Sequence, residues 1–159
     1  KGGSRVKFSG GTYSAHPASM LAAKVMMTYL SEHEHEVYPR LAYLGARTRQ
    51  ALAEAFAAEG VDVLITGNDA DSLPDSPMFM VHFPLQAGVR ADRPEDLANP
   101  ALFDTALSRQ VLNLALLLED VFLVRGHGTL TLAHTEADIQ ALADACRRAT
   151  RRTARGDGA

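Results

Sequence analysis

Residues 114–142 read LALLLEDVFLVRGHGTLTLAHTEADIQAL, and the changes of periodicity inside this stretch set the fold class. The apolar run at 114–118 has the composition of a helix end. VFLV at 121–124 is short and apolar with two β-branched valines, the pattern of a strand. RGHG at 125–128 predicts a tight turn. TLTLA at 129–133 alternates polar with apolar, as a half-buried strand does. Thr135 then stands at a helix N-cap, with Glu136 and Asp138 in the first turn, where negative charge is favoured. Ile139, Leu142, Cys146 and Ala149 recur at helical spacing and predict the buried stripe of a last helix. Five arginines lie between Arg147 and Arg155, and cations suit a helix C-terminus.

Working outward, Asn99-Pro100 predicts a helix start, with Asn as cap and Pro at the first helical position, and a helix over roughly 101–118. The proline-bearing, mixed-charge region 84–100 predicts loop. MFMVHF (78–83) and VDVLIT (61–66) predict strands, separated by the turn-rich NDADSLPDSP. A long helix is expected over about 37–58. Leu41, Leu44, Thr48, Leu52, Ala55 and Phe56 share one of its faces, and Gly60 stops it. HEHE (33–36) predicts a polar break. Before it, PASMLAAKVMMTYL predicts a helix from Pro17 whose main polar interruptions are Ser19, Lys24 and Thr28. A helix without a wet face is expected to be covered on several sides, here by another domain or a partner subunit. Residues 1–16 predict loop, with a short extended piece at 6–8. The order describes an α+β layer: a small, mostly antiparallel sheet with helices on one face.

The chain has 159 residues, a net charge of −3 and one cysteine, Cys146. Near-neutral charge argues against a nucleic-acid binder. A single cysteine excludes a disulfide framework and a cysteine-rich zinc site, and fits a reducing cytosol. The first residues are charged without an apolar core, so no secretory signal is expected. No apolar run approaches the roughly 20 residues that span a bilayer. A cytoplasmic protein without membrane or nucleic-acid partners is the expectation. The chain opens on Lys1 within a glycine-rich segment, which predicts a piece of a longer protein.

GGTYSAHP (10–17) is the first chemical candidate. Gly11 permits close approach, and Thr12, Tyr13 and Ser14 offer hydroxyl donors. The helix that follows presents free N–H groups and its positive dipole end, so a phosphate seat and a plain capping turn are both physically reasonable. His33 and His35 are two apart and do not share a helix face, so a metal site is not expected. His127, between glycines, reads as part of a tight turn, and His134 as closing the strand-to-helix junction. His82 reads as a core or cleft histidine and Cys146 as a buried small hydrophobe. Of the lysines Lys1, Lys7 and Lys24, none has a neighbour that would activate it for Schiff-base chemistry.

Two stretches together resemble one family. GGTYSAHPASMLAAKVMMTYL is similar to the GGT-x-S-G-N-P segment of class III pyridoxal-phosphate-dependent aminotransferases. LALLLEDVFLVRGHGTLTLAHTEADIQAL is similar to the C-terminal run of the same family, and its AHT-x-x-DI ending to the glutamate-1-semialdehyde 2,1-aminomutase branch. The resemblance covers about residues 5–153. It implies a fold-type I enzyme that moves amino groups with pyridoxal 5'-phosphate on small amino-acid or amine substrates and works as a homodimer with the cofactor at the subunit interface. On that resemblance, residues 1–32 would end the large cofactor domain, 33–155 would form the small C-terminal domain, and 156–159 a tail. Thr12 would donate to the phosphate of a cofactor held mainly by the other subunit, with Gly11, Tyr13 and Ser14 around the same seat.

The departures from the family pattern carry expectations too. Ala15-His16 replaces the Gly-Asn before the proline, and His16 caps less well than Asn. The Schiff-base lysine, the aspartate on the pyridine nitrogen and the ring-stacking aromatic lie upstream of the GGT motif in the family, and no residue here matches them. The chain alone is therefore expected neither to hold the cofactor covalently nor to catalyse. The arginine that many ω-aminotransferases carry in the strand matching 129–132 is absent, which leans toward the aminomutase branch. An α+β interaction module that kept the fold and lost catalysis is the rival expectation.

Overall fold

The computed structural model describes residues 11, 15–68 and 75–156. The extended piece expected at 6–8 lies outside them. Two compact units divide the chain, Lys1–Val37 and Tyr38–Ala159. The first holds helix α1, Pro17–Glu32. Proline starts it without loss, because the first-turn N–H has no helical partner. No residue of α1 is buried, and Met20, Leu21, Val25, Met26 and Met27 are each more than half exposed.

Helix α2 is Glu34–Ala57. The expected polar break is thus a single residue, His33, because Glu34 and Glu36 serve as the acidic first turn of α2 instead. The face expected to be buried is buried at Leu44, Thr48, Leu52, Ala55 and Phe56. Beyond α2, Gly60 takes φ 72°, and its N–H and that of Val61 bond back to the carbonyls of Ala57 and Phe56. This left-handed stop is one that glycine adopts without a Cβ penalty.

Among the described residues the sheet has three antiparallel strands in the order β1-β2-β3: Leu64–Thr66, Met78–His82 and His127–Thr129. Phe79 and Val81 of β2 enter one core with Leu44, Leu52 and Phe56 of α2. The first strand is shorter than expected, since Val61 and Val63 pack on the core without pairing. Arg49 of α2 locks the entry to β2 by donating to the carbonyls of Ser76 and Met78, both at 2.8 Å. Gly45 allows that approach: a Cβ there would stand 2.2 Å from the Ser76 oxygen.

The helix expected over 101–118 starts later. Asn99 does bond forward, its side chain accepting from the Ala101 N–H, but this closes only a turn. The cap is Asp104, whose Oδ1 accepts from the Leu107 N–H at 2.8 Å. A π-helical turn, Leu107–Val111, leads into helix α3, Leu112–Leu117. Within the expected loop 84–100, Pro94–Ala98 forms a 3-10 turn, with the Asp96 carboxylate accepting from the N–H groups of Asp92 and Arg93. Helix α3 stops as α2 does, with Asp120 in the glycine's place at φ 59° and Val121 N–H bonded back to Leu116.

The two strands expected at 121–124 and 129–133 form differently. Of the first, Val124 alone pairs, with His127. The second is displaced to His127–Thr129, because the Thr131 N–H and the His134 N–H are taken by the junction that follows. Helix α4, Glu136–Gly156, starts as the sequence predicts: Asp138 accepts from the Thr135 N–H at 2.7 Å, and the Thr135 hydroxyl accepts from the Asp138 N–H. Ile139, Cys146 and Ala149 are buried against the core and Leu142 packs on it.

Candidate functional site

Of the residues expected to seat a phosphate, Gly11 is exposed with φ 156°. Thr12, Tyr13 and Ser14 lie outside the described residues. Ala15 follows in the left-handed region at φ 55°. His16 then caps α1, its Nδ1 accepting from the Ser19 N–H at 3.4 Å and meeting the Ser19 hydroxyl at 3.3 Å. Histidine thus caps the helix where the family pattern has asparagine. The N-terminal end of this 16-residue helix carries the positive end of its dipole.

The other histidines divide by role. His33 closes α1, bonding through Nδ1 to the Tyr29 carbonyl at 2.9 Å and stacking on the Tyr29 ring at 4.2 Å. His35 meets its neighbour Glu36 at 3.6 Å, with both side chains in solvent. Among the described residues no group of three or more His, Cys, Asp or Glu side chains converges to hold a metal ion. His134 closes the strand-to-helix junction, with Nδ1 accepting from the Thr131 N–H at 3.0 Å. His82 is buried, bonds the Thr66 hydroxyl at 2.9 Å and meets the edge of Phe103. Burial first, and the nearby Arg109 charge second, push its pKa down and keep the ring neutral. Burial pushes the Cys146 thiol up to about 12, which leaves it without nucleophilic thiolate at neutral pH.

The best-built polar feature is the turn at 124–127. Val124 and His127 exchange both main-chain hydrogen bonds, at 3.2 and 3.0 Å. The two residues between them have φ 56° (Arg125) and 77° (Gly126). Positive φ at both central positions is the hairpin turn of type I′, whose twist suits the flanking strands. Asn113 of α3 clamps it: its Oδ1 accepts from the Gly126 N–H at 2.9 Å while its Nδ2 donates to the Arg109 carbonyl at 3.0 Å. The Val81 N–H holds the Gly126 carbonyl from β2. A side chain at 126 would collide with the Ser108 carbonyl in the π-helical turn, 2.7 Å from its Cβ. The result is an exposed arginine, Arg125, held at the tip of a fixed turn. The spacing of RGHGT predicts the turn, but Asn113 sits in a helix twelve residues away and gives no local signal.

Behind this turn lies a cleft of about 620 Å³ between residues 120–124, β3 and the first turns of α4, with Phe122, Thr129, His134 and Leu142 among its walls. The Nε2 of His127, beside it, is buried without a hydrogen-bond partner among the described residues.

The fold resembles part of an omega-transaminase. The crystal structure of an omega-transaminase from Sphaerobacter thermophilus superposes with a TM-score of 0.65 and 26% sequence identity over 91% of this chain. The chain spans 30% of the length of that structure. No family model and no curated protein matches the sequence. No helix among the described residues is long and apolar enough to cross a membrane.

The pyridoxal phosphate implied by the resemblance needs an activated lysine, and the described residues supply none. Among the described residues the sole lysine is Lys24, on an exposed face of α1. A Schiff-base lysine needs desolvation or a cationic neighbour to lose its proton.

Proposed function

We propose that this chain is the C-terminal part of a class III pyridoxal-phosphate-dependent aminotransferase, and that its AHTEADI run (133–139) places it nearest the aminomutase branch. The observation that carries the reading is the likeness to an omega-transaminase over 91% of the chain, beside the two quoted motifs in its sequence. The cofactor, when bound, supplies the electron sink that lets an amino group leave one carbon and join another. This segment contributes binding and orientation. Thr12 donates to the cofactor phosphate across a homodimer interface, with Gly11, Tyr13 and Ser14 shaping the seat. The α+β layer acts as the small domain beside the substrate, with Arg125 as its fixed surface cation.

The test uses the full-length product. Added pyridoxal phosphate should give the absorbance of a lysine-bound cofactor, and its absence would count against the reading. Thr12→Val should then weaken cofactor retention by about tenfold or more, the worth of one hydrogen bond to a charged group. Retention equal to that of the unaltered enzyme would remove Thr12 from the phosphate seat. Amino transfer between two substrates, without isomerisation of a single one, would move the chain from the aminomutase branch to the transaminases.

A further inference from the structure

The two arms of the hairpin at 124–127 stand in register but are joined at one rung only. Val124 and His127 exchange both bonds. In an antiparallel ladder the hydrogen-bonding groups of every second residue point the same way, so the next rung joins Phe122 to Thr129. The pairing of β3 with β2 agrees. Val81 N–H bonds to the Gly126 carbonyl and Leu130 N–H to the Pro77 carbonyl, so residues 126, 128 and 130 face β2 while 127 and 129 face away. No hydrogen bond between Phe122 and Thr129 is present among the described residues. Instead the cleft opens there, with both residues in its walls.

We propose that residues 121–124 are a strap that closes on β3, adding a fourth strand to the sheet through a Phe122–Thr129 rung and emptying the cleft. Three further observations support it. The sequence of both arms is that of strands. The type I′ turn carries the twist that paired arms require. Leu123 is buried on the core side while Phe122 and Val124 are exposed, the alternation of a strand already facing the right way. The far end of the strap is fixed by the Val121 bond to Leu116, so closing moves a few residues between two anchored ends.

A cross-linking pair tests this. Cα atoms on a closed rung would stand about 5.5 Å apart, within disulfide reach. The full chain carrying Phe122→Cys and Thr129→Cys should oxidise within the molecule at least tenfold faster than a control with Phe122→Cys and Thr131→Cys, which is one step out of register. Buried Cys146 stays out of the exchange. Equal rates for the two pairs would overturn the proposal. Should either variant fail to fold, relaxation-dispersion NMR on the unaltered chain decides. Microsecond-to-millisecond exchange shared by the Phe122 and Thr129 amides supports closure, and flat profiles at both overturn it.

Discussion

His82 shows how one buried polar side chain sets a pH response. Its ring lies among β1, β2 and Phe103 and bonds the Thr66 hydroxyl. Its pKa in the fold is depressed, while in the unfolded chain it returns to about 6.5. The sign follows from linkage. Its contribution is present above pH about 6.5 and is lost as pH falls through the folded value, because the unfolded chain takes up the proton first. Melting temperature should therefore drop between pH 7 and 5, and His82→Gln should flatten that part of the profile. Scanning calorimetry of the two proteins across the range checks this. The sequence placed His82 in a strand and predicted a core histidine. Thr66 and Phe103 are its neighbours through pairing that sequence reading does not locate.

At the scale of elements, the helices were the most legible. Pro17, Gly60, and Thr135 with Asp138 each mark a boundary by a mechanism that acts within a few residues, and each stands where expected. Replacing Thr135 with Ala should cost about 1 kcal/mol, the usual worth of an N-cap, read from urea unfolding with an unchanged slope. Helix α3 was read less well because Asn99-Pro100 and Asp104 both offer start signals five residues apart, and only packing chooses between them. The strands fared worst. VFLV has a strand's composition, yet the third-strand position beside β2 is filled by His127–Thr129 instead. Composition says that a segment can pair; it does not say whether its partner is within reach.

At the scale of the chain, charge ties distant segments together. Arg148 and Arg152 of α4 both hold Glu119, just past α3, and Arg151 holds Glu59, just past α2, across 92 positions of sequence. The hydrogen bond from Arg148 is the first cause that lowers the Glu119 pKa, and the bond from Arg151 does the same for Glu59. A depressed carboxylate contributes stability above its unfolded pKa of about 4.3, lost as pH falls through the folded value. Glu119→Gln should thus lower the melting temperature at pH 7, with the gap between the two proteins closing as pH falls through the folded Glu119 value, as thermal unfolding followed by circular dichroism would show. The arginine run was visible in sequence and was read as a favourable helix end. Its partners were not, because nothing local pairs residue 151 with residue 59. The candidate site divides in the same way. GGTYSAHP suggests a phosphate seat through residue type and a following helix, and Thr12, Tyr13 and Ser14 lie outside the described residues, whereas the turn that presents Arg125 depends on Asn113 from another element.

The glycine at 128 has a consequence for how this sequence can drift. The ring of Phe79, its partner across β2 and β3, occupies the space over it, and a Cβ at 128 would stand 2.2 Å from that ring. Neither position can change freely alone. Gly128→Ala should be poorly tolerated by itself and partly rescued when Phe79 is shortened to Leu, with a coupling visible in a double-mutant cycle. Any descendant of this chain that gains a side chain at 128 is expected to have lost its aromatic ring at 79 first, which fixes the order of the two steps.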